Sequence, residues 1–156
     1  MVRAGEITDD EVLRAFPDVR LDHDNKLFYK GILCREYLLN RCDDCGRWHT
    51  PPRWMCPACW GTSITATPVD GRGTVDLVTF LHQGPPAPGV DYATPYPLAA
   101  IVLDGVDGLR VSGTIASVAK DDIVIGLRVK LAWDEREGIP YPVFEPLSEG
   151  AVPGGA

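Results

Sequence analysis

Four cysteines in two pairs, Cys42-Asp-Asp-Cys45 and Cys56-Pro-Ala-Cys59, constrain this chain more than any other feature. Two Cys-x-x-Cys pairs separated by ten residues have the spacing of a small metal ribbon. Each pair turns as a tight knuckle, and the loop between folds back until four thiolates meet one tetrahedral ion. Gly46 directly after the first pair suits a backbone that turns sharply through positive φ. Pro57 presets φ inside the second knuckle and leaves no N–H unpaired there. Zinc is the expected ion. Iron competes, because Cys-Pro-x-Cys also forms half of a rubredoxin-type site and all-sulfur tetrahedral geometry suits both metals. Two disulfides would leave Cys34 over, and a thioredoxin-like site needs one Cys-x-x-Cys in a strand–helix setting. Residues 1–6 lack the apolar core of an export signal, so reduced, metal-binding cysteines fit a cytoplasmic location.

Length and charge narrow the rest. The 156 residues, 45% hydrophobic, suffice for one ordinary domain or for a small core beside a metal-stapled module. No apolar run reaches the length of a membrane span. The net charge is −7, and zinc with four thiolates brings it to about −9. The charge is unevenly spread. Residues 26–60 set Lys26, Lys30, Arg35, Arg41, Arg47 and Arg53 against Glu36, Asp43 and Asp44, a net +3, while residues 1–25 carry −4 and 61–156 carry −6. Such a chain repels a long polyanion as a whole, yet can hold one small anionic ligand near the ribbon.

Along the chain, Thr8-Asp-Asp-Glu11 reads as a capping box, followed by a short helix with Val12, Leu13 and Phe16 that Pro17 stops. Residues 18–25 are an acidic connector. Lys26–Leu33 forms a second short helix or turn, with Leu27, Phe28 and Ile32 sharing a face. Cys34 lies outside any ligand spacing and reads as a small buried hydrophobe. Glu36–Arg41 is a strand into the first knuckle. Between the knuckles stand Arg47, Trp48, His49, Pro51, Pro52, Arg53 and Trp54. Four thiolates complete a shell without His49, which is left with no role or a surface contact. Two tryptophans exceed what a tiny ribbon needs, and serve either as its apolar cover or as binding anchors.

Thr62–Thr67 alternates β-branched residues as an exit strand, and Pro68–Gly73 has hinge composition. Five short strands then follow: 74–81, 97–103, 109–115, one that ends the stretch 123–133 after a turn at Gly126, and a proline-limited edge strand at 139–146. That pattern fits a small Greek-key barrel of the OB type. Between the first two strands, residues 84–97 carry five prolines with Tyr92 and Tyr96, a stiffened loop that either docks something or is plain surface. The expected division is a helical segment 1–34, a ribbon 35–69, a barrel 70–147 and a Gly/Pro-rich tail 148–156 that frays. His23, His49 and His82 are isolated in sequence, and no nucleophile elbow or phosphate loop appears. No catalytic residue is assigned.

These parts resemble the zinc-ribbon/OB-fold proteins associated with acyl-CoA thiolases and thiolase-like aldolases, a family formerly filed as a domain of unknown function. The resemblance rests on Arg41-Cys42, Cys45-Gly46, Pro51-Pro52-Arg53, Cys56-Pro57 and Cys59, supported by Gly71–Val75, Pro95-Tyr-Pro97 and Ile125–Val129. Trp60 departs from it, since glycine is common directly after the last ligand, and Gly61 takes that role one position later. The resemblance implies a mainly β fold with short N-terminal helices, a rubredoxin-like zinc ribbon on Cys42, Cys45, Cys56 and Cys59, and an OB barrel. It implies a non-catalytic subunit that docks on a thiolase-fold enzyme in a heterotetramer or larger complex, in acyl-CoA or steroid side-chain degradation. A hydratase partner and a shared CoA thioester belong to the same expectation. Arg47, Trp48, Arg53 and Trp54 are the candidates to meet that thioester's head. The alternatives are an OB barrel binding single-stranded nucleic acid, which the barrel's −6 opposes, and an iron-loaded electron carrier.

Overall fold

A computed structural model describes residues 3–147; the expected fraying tail lies outside the described residues. The capping box forms as read. The Glu11 backbone N–H donates to Thr8 Oγ1 while the Glu11 carboxylate accepts from the Thr8 N–H, starting α1 at Asp9–Ala15. The Thr8 N–H and the Thr8 hydroxyl, both donating to the Glu11 carboxylate, hold that carboxyl below its usual range. α2 runs Lys26–Leu33, and an ion pair from Lys30 to Asp9 ties the two helices. Val12, Phe16 and Ile32 are buried together against Trp133, Ile139 and Tyr141. Leu27, expected to share a face with Phe28 and Ile32, is exposed, and so is Leu13. Helices of seven and eight residues turn only one narrow stripe inward.

β1 (Leu38–Cys42), β2 (Trp48–His49) and β3 (Ile64–Pro68) form a three-stranded antiparallel sheet in the order β2-β1-β3. β4 (Gly73–Leu81), β5 (Tyr96–Leu103), β6 (Arg110–Gly113), β7 (Arg128–Arg136) and β8 (Ile139–Pro146) form a second sheet in the order β6-β5-β4-β7-β8. β4 is bulged between Val75 and Leu77, which lets one strand curve between neighbours on both sides. After β6 the chain bridges parallel to β8 at Ile115 and Phe144, where Phe144 N–H donates to Thr114 O and Ala116 N–H donates to Phe144 O. The sheet thereby nearly closes into an OB-like barrel.

β8 is therefore not a free edge along its whole length. Phe144 N–H faces away from β7, and period-two alternation puts Pro140, Pro142 and Pro146 in the same orientation. Each proline lacks an N–H where the β7 ladder needs none. The turn expected at Gly126 forms, with Gly126 at a φ of 93° after a 3-10 turn at residues 120–122, and the strand that follows it begins at Arg128.

One apolar cluster fills the barrel with Val75, Ile101, Val111, Ile115, Val129 and Phe144, and Tyr37 and Leu39 from the ribbon side belong to it. Burial pushes the Tyr37 hydroxyl up to about 12. The ribbon and barrel thus share a core. No helix among the described residues is long and apolar enough to cross a membrane.

Candidate metal centre and its aromatic rim

The two knuckles repeat one backbone design. Gly46 N–H donates to Cys42 O at 2.8 Å, and Trp60 N–H donates to Cys56 O at 3.1 Å. Cys42 N–H then donates to Arg47 O and Cys56 N–H to Gly61 O, both at 2.9 Å. Gly46 and Trp60 are structural counterparts, with φ of 74° and 64°. Trp60 itself occupies the left-handed position, so Gly61 does not take that role. Gly61 serves close approach instead, since a Cβ there would come within 2.0 Å of Asp44 Oδ2 and 3.3 Å of Cys59 Sγ.

This repeat brings Cys42, Cys45, Cys56 and Cys59 together with all four sulfurs within 4.8 Å of one another. Cys42 and Cys59 Sγ are 3.6 Å apart, and Cys45 and Cys56 Sγ are 3.7 Å apart. A tetrahedral ion with metal–sulfur bonds of about 2.3 Å demands sulfur–sulfur edges of about 3.8 Å, so the donor set fits a closed structural site. All five cysteines are free thiols here, against the two-disulfide alternative. Backbone N–H groups of Cys59 and Ala58 point at the Cys56 sulfur and bring its pKa down to about 7. Cys59, despite the Gly61 N–H that lowers it, is pushed up to about 12 by the crowded Cys45 and Cys42 sulfurs, a crowding that a cation among them would relieve. Cys34 stands apart at the end of α2, half-buried instead of buried, and burial pushes its thiol up.

The inter-knuckle loop divides its side chains. Trp48, on β2, packs against the common core with the Arg41 guanidinium 5.7 Å above its ring. His49 is 5% exposed, not a surface residue, and neither ring nitrogen has a hydrogen-bond partner among the described residues. Burial lowers its pKa. Arg53 and Trp54 instead face a groove of about 400 Å³ beside the second knuckle, walled also by Asp24, Met55, Pro57 and Trp60. An adjoining groove, sharing Asp24, Arg53 and Trp54, continues past Lys26 and Leu27 across the face of β3. Trp54 is 56% and Trp60 71% exposed. The sequence candidates Arg53 and Trp54 thus share a surface, Trp48 lies in the packing, Arg47 lines neither groove, and Trp60 was missed. Its signal was the departure from glycine after the last ligand.

The proline loop is tied inward. Tyr92 Oη donates to Pro85 O, Tyr92 packs edge-on against Tyr96, and the Arg136 guanidinium reaches Pro88 O at 3.2 Å. Tyr92 and Tyr96 therefore shape the loop, and both rings are half-buried.

Comparison with known proteins follows this geometry closely. Residues 38–65 match the family model described as the ChsH2 rubredoxin-like zinc ribbon domain, and residues 66–134 match the ChsH2 C-terminal OB-fold domain. Over 142 residues, 90% of this chain and 43% of the relative, it is 28% identical to a probable enoyl-CoA hydratase alpha subunit of Thermomonospora curvata. It is 31% identical over 94 residues to a DUF35 domain-containing scaffold protein of Methanocaldococcus jannaschii, covering 60% of this chain and 64% of that one. The chain spans less than two thirds of the length of each of these relatives. A chain of the Ltp2-ChsH2(DUF35) aldolase superposes with a TM-score of 0.70 at 28% identity, over 82% of this chain and 98% of that one. With both of its modules and its cysteine cluster accounted for, the chain belongs to the DUF35 family of ChsH2-type zinc-ribbon/OB-fold proteins.

Proposed function

We propose that this chain is a non-catalytic scaffold subunit of an aldolase complex, with residues 35–69 as its zinc ribbon and 70–147 as its barrel. The observation that carries the reading is the likeness to nearly the whole of a chain from the Ltp2-ChsH2(DUF35) aldolase. The scaffold names of the archaeal relatives support it. The metal centre agrees: four thiolates fill a tetrahedral shell and leave no position for a substrate or an activated water. Zinc holds the ribbon and does no chemistry.

In the finer reading the partner is a thiolase-fold enzyme of acyl-CoA or steroid side-chain breakdown, working in the cytoplasm on a CoA thioester. The name of one relative, a probable enoyl-CoA hydratase alpha subunit, supports a hydratase as a further partner of the same assembly. Of the four residues expected to meet CoA or the partner, Arg53 and Trp54 stand together at the ribbon's rim, where they are available to either, and Arg47 lies outside the groove they line. Trp48 contributes only by holding the strand that precedes this rim. Nucleic-acid binding through the barrel loses ground, because the large apolar side chains it exposes, Leu77, Val102, Val124 and Ile125, are aliphatic and offer no ring for a base.

Co-expression with a thiolase-like aldolase from the same organism tests the proposal. A stable complex whose aldolase activity falls when this chain is omitted is expected. An enzyme that is soluble and fully active alone overturns it.

A further inference from the structure

Trp60 occupies a backbone position that its counterpart in the other knuckle fills with glycine. A left-handed residue with a Cβ is strained, and such strain persists where a side chain is needed for function. Here it presents an indole that is 71% exposed, across a groove from Trp54, 56% exposed. Folding uses little of either ring.

The charges around the groove are equally unspent. Among the described residues Lys26 and Arg53, which line it, form no ion pair, whereas Arg72, Arg110, Arg128 and Arg136 of the barrel are each paired with an aspartate. Asp24 at the groove is the one carboxylate on its wall, and its neighbour His23 lies 3.4 Å from it. Two exposed indoles framed by free cations, in a chain of net charge −7, are complementary to an acidic surface with an apolar centre.

We propose that the Trp54–Trp60 groove is the docking face of the ribbon, and that its occupant is an acidic, apolar-centred patch on the partner enzyme. The inference rests on the scaffold function proposed above and adds the face and the chemistry of the partner. Trp60 seats in the partner's surface as an anchor, Trp54 walls the groove beside it, and Lys26 and Arg53 meet carboxylates at the rim.

The test is the affinity of full-length, metal-loaded chain for the purified partner enzyme, without CoA or any thioester, at two salt concentrations. Trp60→Gly is the decisive variant, because glycine suits the backbone and metal content verifies the fold. Trp60→Gly and Trp54→Ala are each expected to weaken the complex about tenfold or more, as buried interface tryptophans do. Lys26→Glu with Arg53→Glu should weaken it and flatten its salt dependence. Ile125→Ser, on the barrel, should leave affinity unchanged. Unchanged affinity in both tryptophan variants, with the wild-type complex intact, overturns the docking face while leaving the scaffold function standing. So does unchanged protein affinity with weakened CoA-thioester binding, which makes the groove a ligand site. A wild-type chain that forms no complex overturns both.

Discussion

Trp60 shows how far residue type can hide backbone conformation. Gly46 was readable as a turn residue because glycine is the usual occupant of positive φ, whereas a tryptophan gives no such signal. Only the matching hydrogen bonds of the two knuckles reveal that both positions do the same job. Trp60→Gly should therefore raise the stability of the metal-loaded chain by about 1 kcal/mol, read from urea unfolding, since the left-handed strain goes and few contacts are lost. His49 was hidden differently. Its burial depends on the loop folding over it, and its two unpartnered nitrogens are a tertiary outcome. Its pKa is depressed in the fold by burial, so the unfolded chain takes up a proton first, near pH 6.5. Stability contributed by neutral His49 is intact above that pH and is lost as pH falls through the folded value. The thiolates lose metal in the same direction, so the comparison is with His49→Leu: the urea midpoint of the wild type should fall faster on acidification than that of the variant. Parallel pH profiles would contradict this.

At the scale of elements, the ribbon works as a staple that reaches into the barrel. β1 carries Cys42 at one end and places Leu39, 2% exposed, in the barrel's core. Cys42→Ser or Cys59→Ser should abolish metal binding and also lower the barrel's thermal midpoint, because losing the ribbon removes Leu39 and Tyr37 from the shared cluster. Leu39→Ala alone should cost about 2–5 kcal/mol in urea unfolding, with metal retained. Barrel and ribbon melting independently would rule out the common core. The strands of the barrel were legible because alternation and turn residues mark them locally. The pairing of Ile115 with Phe144 was not, since parallel closure across some thirty residues leaves no local mark. Leu27 was misplaced for a related reason: a two-turn helix has too few positions to declare its buried face. The proline loop offers a separate check. Arg136 donates to Pro88 O and approaches Tyr96 Oη while its guanidinium lies 5.0 Å from the Tyr141 ring centroid. Arg136→Ala should expose residues 82–95 to limited proteolysis, and Arg136→Lys should restore protection only in part because it lacks the planar fork.

For the molecule as a whole, the absence of an open metal position, the joined core and the exposed tryptophan rim point to support and docking. The metal fits that role, as it holds the rim in place by closing both knuckles. The claim is tested most directly by native mass spectrometry of this chain co-expressed with a thiolase-like aldolase from the same organism, with metal analysis of the same sample. The account predicts a complex with equal numbers of the two subunits, one zinc per copy of this chain, and aldolase activity that disappears when this chain is left out. A chain that travels alone beside a fully active enzyme would contradict it.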